Sequence, residues 1–223
     1  MRETRPESLK EMAYHQLKGQ IFSGYRRPGE RLIEMDLSKE LHVSRTIVRE
    51  VIKQLAVEEV VQVVPFKGAT VARMSIQDID EIYTIQRDLE GLATYLAIKN
   101  FDRAHIEELE RVHSASKAGR PRDALAWQKL NTRFHRAFLD HCGNSRLLRL
   151  VEGQNLQFAR YWFLILSIPG RIEKSIEEHE KILCAARERR PVLGRYAMER
   201  HLRSATRDLL EFLRRIQPAS IGV

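Results

Sequence analysis

The sequence predicts a mainly α protein in two parts, an N-terminal helix-turn-helix with a β wing and a C-terminal antiparallel bundle made wholly of helices. Three observations lead there. Helical patterns crowd three deep into residues 8–55, and a β-branched run, "VVQVVPFKGATVA", follows them. From residue 75 onward the apolar spacing is helical throughout, broken only at Gly, Pro and Asn.

The elements follow in order. From Ser8 to about Ser23, Leu9, Met12, Ala13, Leu17, Ile21 and Phe22 recur at helical spacing and stop at Gly24, which predicts a first helix. A turn on Pro28-Gly29 leads to a short helix over about Glu34 to Leu41. The third helix opens at Ser44, whose hydroxyl can accept from a free backbone N–H, and Val48, Val51, Ile52 and Leu55 form its inward stripe. The β-branched run is split by Pro65-Phe66-Lys67-Gly68, which predicts a two-stranded hairpin with a basic tip. Ser75-x-x-Asp78 is a capping box, and Ile79, Ile82, Ile85, Leu89, Leu92 and Leu96 carry a helical stripe to about Lys99. Breaks near Asn100-Phe101, Gly119-Arg120-Pro121, Gly143-Asn144, Pro169-Gly170 and Arg190-Pro191 divide the chain from residue 75 onward into about six helices, this one included. The domains expected are 1–74 and 75–217, with a tail at 218–223.

Composition narrows the class. With 43% hydrophobic and 30% charged residues the chain reads as a soluble globular protein, and no run of eighteen apolar residues exists. The N-terminal "MRETRPESLKEM" lacks the apolar core of a secretory signal, so a cytoplasmic protein with no membrane partner is expected. Cys142 and Cys184 are too few for a disulfide scaffold and are expected as reduced core residues. The net charge of +8 suggests a polyanionic partner. The excess is spread, however, with 13 Lys/Arg against 10 Asp/Glu in residues 1–74 and 25 against 20 beyond, so the position of individual arginines decides.

Arg45, Thr46 and Arg49 occupy the first turns of the third helix, the part of a helix-turn-helix that enters the major groove. There an arginine can pair bidentately with guanine and a hydroxyl can meet phosphate, while Lys67 and Arg31 would contact the backbone or minor groove. A solvated helix face, with Glu50 as partner, is the plainer alternative. Residues 27–71, "RPGERLIEMDLSKELHVSRTIVREVIKQLAVEEVVQVVPFKGATV", resemble the winged helix-turn-helix of the GntR family of bacterial transcription regulators. The resemblance implies DNA contact by Ser44, Arg45, Thr46 and Arg49, with Lys67 and Gly68 in the wing. This chain has Met35 where many members carry a DNA-contacting arginine, Ile47 where proline is usual, and Glu59 where glycine is usual.

A second constellation lies in the helical part. Asn131 and His135 stand at i and i+4 in "NTRFHRAF", and His179 and His201 lie on two later helices. Three imidazoles and an amide oxygen on three antiparallel helices could hold a metal, best a late first-row ion such as Zn²⁺ or Ni²⁺. Unrelated helical histidines would give the same spacings. Residues 75–215 resemble the FCD effector domain of the FadR branch of that family, whose metal-binding members match Asn131, His135, His179 and His201 position by position. There the usual residue at position 131 is Asp. Arg87, in "IQRDLEGLA", reads on its own as a surface partner of Asp88 or Glu90; the resemblance instead sends it into the effector cavity to hold a carboxylate. Arg160 is a further candidate for that cavity.

Together these readings predict a homodimeric, ligand-responsive regulator rather than an enzyme, binding a palindromic operator because one recognition helix reads too few bases alone. One metal per chain would hold a small carboxylate effector. The alternatives are a metal-dependent enzyme acting on a small organic acid and a metal-free regulator sensing a larger acyl ligand.

Overall fold

In the computed structural model, residues 8–22, 24–64, 68–73, 75–118, 124–158 and 162–216 are described. They form two compact units: the described residues up to 73 together with 156–158 and 162–163 make the first, and those of 75–155 and 164–216 the second.

The first unit holds α1 (Leu9–Phe22), β1 (Arg31–Leu32), α2 (Glu34–Glu40), α3 (Arg45–Val57), β2 (Val61–Val64) and β3 (Gly68–Val71). In α1 the buried stripe is Ala13, Leu17 and Ile21; Leu9 and Met12, expected to share it, are exposed near the helix start. The predicted inward stripe of α3 is fully buried, and Ser44 caps the helix by accepting from the Ile47 N–H at 3.3 Å. The two expected strands, β2 and β3, pair antiparallel with Val61 opposite Val71, and β1 adds a third strand, Arg31 opposite Thr70, for a sheet of order β1-β3-β2. Strand β1 is two residues long, too short to show a period of two. Glu59, standing where glycine is usual in the resembling family, takes a left-handed backbone at φ 57°, a conformation that costs a side-chain-bearing residue about 1–2 kcal/mol.

The second unit is helical: α4 (Ile76–Asn100), α5 (Arg103–Ala118), α6 (Ala124–Asp140), α7 (Ser145–Phe158), α8 (Trp162–Leu166), α9 (Arg171–Arg187) and α10 (Pro191–Ile216). That is one helix more than expected, because Trp162–Leu166 forms a short element of its own. The Ser75–Asp78 capping box is present on both sides, at 2.7 and 3.0 Å. The buried face of α4, however, keeps only Ile79 of the predicted stripe. Tyr83, Gln86, Glu90, Ala93, Thr94 and Ala97 are buried, Ile82, Leu89, Leu92 and Leu96 only half so, and Ile85 is 51% exposed. Small residues allow the close packing of α4 and α10: a Cβ on Gly194 would collide with Ile98, and one on Gly91 with Glu199. Cys142 is buried and free as expected, but Cys184 is only half-buried, its thiol donating to Glu188 at 3.3 Å. No described helix is long and apolar enough to cross a membrane.

Phe138 anchors the bundle core, its ring 5.5 Å from both Phe101 and Phe134. Phe138→Ala is expected to destabilise the helical unit by about 3–5 kcal/mol in denaturant unfolding. A loss below about 1 kcal/mol would mean that the ring is not packed as described.

Candidate functional site

The helical unit brings His135 from α6, His179 from α9 and His201 from α10 together, with one ring nitrogen of each inside a 4.8 Å span. His179 and His201 are buried and His135 nearly so. The Nε2 atoms of His179 and His201 are 3.3 Å apart. A tetrahedral ion with bonds of about 2.0–2.1 Å to nitrogen has donor edges of about 3.3–3.4 Å, so this pair already stands at ligand spacing. Phe134 stacks on His179, with centroids at 4.2 Å and planes 10° apart, and fixes that ring's tilt.

Two carboxylates set which nitrogen each outer ring offers. His135 Nδ1 meets Glu90 Oε2 at 2.8 Å, and His201 Nδ1 meets Glu178 Oε2 at 2.7 Å. Burial opposes ionisation of Glu178, but hydrogen bonds from His201 and Arg171 outweigh it and hold its carboxyl down at about 2. Burial likewise raises Glu90, and the facing His135 and Gln86 more than offset it, leaving that carboxyl below its ordinary value. An ionised carboxylate only accepts, so each Nδ1 carries a hydrogen and Nε2 is the nitrogen each ring leaves for the cluster. Burial, with the neighbouring rings, pushes His179 well below the usual imidazole range and His201 down to about 4, despite Glu178. Neutral rings are the form that binds metal.

Among the described residues, His135 Nε2 and both polar atoms of the Asn131 amide are buried without a hydrogen-bond partner. Such orphaned atoms are costly, typically about 1–3 kcal/mol each, unless something outside the protein satisfies them. Asn131 lies one turn before His135 on α6, so its amide stands on the same helix face and its oxygen could serve as a fourth donor. Three imidazoles, two of them with carboxylate support, and an adjacent amide fit a late first-row divalent ion.

Behind the cluster, Arg171 is fully buried and bonds Glu178 at 2.5 Å, Asp208 at 2.9 Å, Ser175 at 3.0 Å and Ser204 at 3.1 Å. Sequence reasoning missed Glu90, Glu178 and Arg171. The available signal was polar spacing: Gln86, Glu90 and Thr94 recur every fourth residue, so α4 turns a buried polar row toward the bundle interior.

In the first unit, Arg45, Thr46 and Arg49 are exposed along the first turns of α3. Glu34 of α2 faces both arginines, at 2.8 Å from Arg49 and 3.5 Å from Arg45, and holds them side by side. Arg31, Met35, Arg45 and Gly68 line one groove of that surface. Lys67 lies outside the described residues, as does Arg160. The structure does not bring Arg87 into the histidine cluster; it lines a separate groove between α4 and α10, with its Nε donating to Asp88 at 2.9 Å.

Residues 9–71 match the family of bacterial regulatory proteins of the gntR type, and residues 81–204 match the FCD domain. The chain is 33% identical over 177 residues, 76% of each chain, to the uncharacterized HTH-type transcriptional regulator YdhC of Bacillus subtilis. It is 28% identical over 199 residues to the HTH-type transcriptional repressor GlaR of Escherichia coli, covering 85% of this chain and 90% of that one. Escherichia coli McbR/YncC shares its fold with a TM-score of 0.74 at 23% identity, over 92% of this chain and 98% of that chain.

If Glu90 orients His135, Glu90→Gln is expected to weaken Zn²⁺ binding by about 10–100-fold, read by competition against a chromophoric chelator. Unchanged affinity in a variant that melts like the wild type would remove that role.

Proposed function

The chain belongs to the GntR family of bacterial transcription regulators and carries an FCD effector domain, and from that premise we propose a metal-dependent sensor of a small carboxylate that acts in the cytoplasm as a homodimer of the FadR branch. The regulators it resembles are DNA-binding proteins, not enzymes. The observation that carries the finer reading is the convergence of His135, His179 and His201 beside the orphaned Asn131 amide.

In this reading His135, His179 and His201 hold the ion, with Asn131 as the fourth donor. A bound ion supplies a Lewis-acid anchor for the carboxylate of a small organic acid. Glu90 and Glu178 keep the ring tautomers fixed, and Arg171 keeps Glu178 ionised and in place. Arg87, in its separate groove, is not assigned to this carboxylate. On the DNA side, Arg45 and Arg49 exchange Glu34 for base edges, and Ser44 and Thr46 meet phosphate at the helix start. Arg31, Gly68 and Lys67 serve the flanking backbone. Two such heads are needed for a palindromic operator, and effector binding shifts the arrangement of heads and bundles.

Elemental analysis of the purified protein tests the metal directly. About one transition-metal ion per chain is expected, Zn²⁺ or Ni²⁺, and none in a His135→Ala/His179→Ala variant. A metal-free wild type after growth with zinc and nickel would leave the larger-acyl-ligand reading in its place. For DNA, Arg49→Ala is expected to lose about 1–3 kcal/mol of operator affinity in mobility shifts on a fragment recovered by binding-site selection. Equal affinity for wild type and variant would take Arg49 out of the reading face.

A further inference from the structure

The α4–α10 groove that receives Arg87 contains about 220 Å³ and carries three more arginines, Arg203, Arg207 and Arg214, all from α10. Asp80 is the one carboxylate among its lining residues, and Asp88, just outside them, pairs with Arg87, so the lining is strongly basic. These guanidiniums are poorly neutralised. Among the described residues, Arg203 and Arg214 have no ion-pair partner, and Arg207 reaches only Asp208, at 3.4 Å. Asp208 is already engaged more closely by Lys174 at 2.6 Å and Arg171 at 2.9 Å. Arg87 spends its Nε on Asp88, and among the described residues its two terminal amino groups have no hydrogen-bond partner.

Arg203 and Arg207 stand at i and i+4, and Arg214 two turns further on, so α10 presents like charges on one face. That spacing destabilises a helix by a few tenths of a kcal/mol, and among the described residues only Asp208, at 3.4 Å from Arg207, and the nearby Asp88 oppose it. We propose that this groove is a second ligand site, independent of the histidine cluster, which binds the phosphoryl group of a small phosphorylated metabolite.

A phosphoryl dianion presents three oxygens and two charges to four forked donors, whereas a single carboxylate would leave most of them unmatched. Asp80 works against a bare anion but accepts well from a hydroxyl, which points to a hydroxylated carbon skeleton such as a sugar or polyol phosphate. The Thr84 side chain adds a polar neighbour, and Tyr83 and Leu210 give the groove an apolar wall. Pockets for drug-sized ligands run from about 300 to 1,000 Å³, so this one suits a smaller molecule.

Calorimetric titration of the full-length protein with inorganic phosphate and with glycerol 3-phosphate, at constant ionic strength, tests the assignment. One saturable site per chain is expected, weakened by about tenfold or more in Arg203→Ala/Arg207→Ala and unchanged in His135→Ala/His179→Ala. Both arginines are exposed, so an unaltered melting curve is expected for the first variant. Absence of saturation by about 10 mM would overturn the site. Binding lost in the histidine variant but kept in the arginine variant would place the phosphate on the metal centre instead. Citrate binding these arginines more tightly than either phosphate would overturn the phosphoryl assignment in favour of a polycarboxylate. A protein that holds no metal leaves the expected result unchanged, so this inference and the metal reading fail separately.

Discussion

A fully buried guanidinium organises the effector half of the molecule. Arg171 is closed off from water yet keeps its charge, so the protein must surround it with acceptors, and Glu178, Asp208, Ser175 and Ser204 do so from α9 and α10. Removing one partner of such a pair typically costs about 3–5 kcal/mol because the other charge is then stranded. Glu178 cannot turn away from Arg171, and its carboxylate also accepts from His201 Nδ1. The tautomer of a histidine in the cluster is thereby set by a charge one residue beyond it.

The same logic runs along α4. Gln86 donates to Glu90 at 2.7 Å, and Glu90 accepts from His135, so a carboxylate that burial alone would protonate stays ionised. Each half of the cluster has its own carboxylate, supplied by a different helix, and the apolar core formed by Phe134, Phe138, Leu109 and Ile182 packs around them. Polar groups this deep are costly unless matched, and the Asn131 amide and His135 Nε2 are among several buried polar atoms, Thr94 Oγ1 and Arg171 Nε included, that have no hydrogen-bond partner among the described residues.

The first unit obeys a simpler rule. Its core closes with Leu17, Leu37, Val48, Val51 and Leu55, which leaves the opposite face of α3 free to carry charge. Glu34 then holds Arg45 and Arg49 in a surface arrangement that solvent screens and that a polyanion can take over. Arginines held by a partner at the surface lose less side-chain freedom on binding than arginines that must first be ordered.

Sequence alone determined the helix-turn-helix with its wing, because capping at Ser44 and Ser75, the stripe of α3 and the β-branched run are local signals read within a few residues. It also singled out His135, His179, His201 and Asn131 as candidate ligands, though by resemblance to the FCD domain and not by spacing, which unrelated histidines would share. It misplaced the buried face of α4, since a helix with apolar residues on more than one side has no unique stripe, and packing against α10 across Gly91 and Gly194 selected the polar row. It could not show β1, two residues paired to a strand almost forty positions away, nor that Glu34 faces Arg49. Only the tertiary structure decided that His135, His179 and His201 converge while Arg87 turns to another groove. Periodicity sets the direction of a side chain within its own helix, but which helices meet at that direction depends on how the bundle packs.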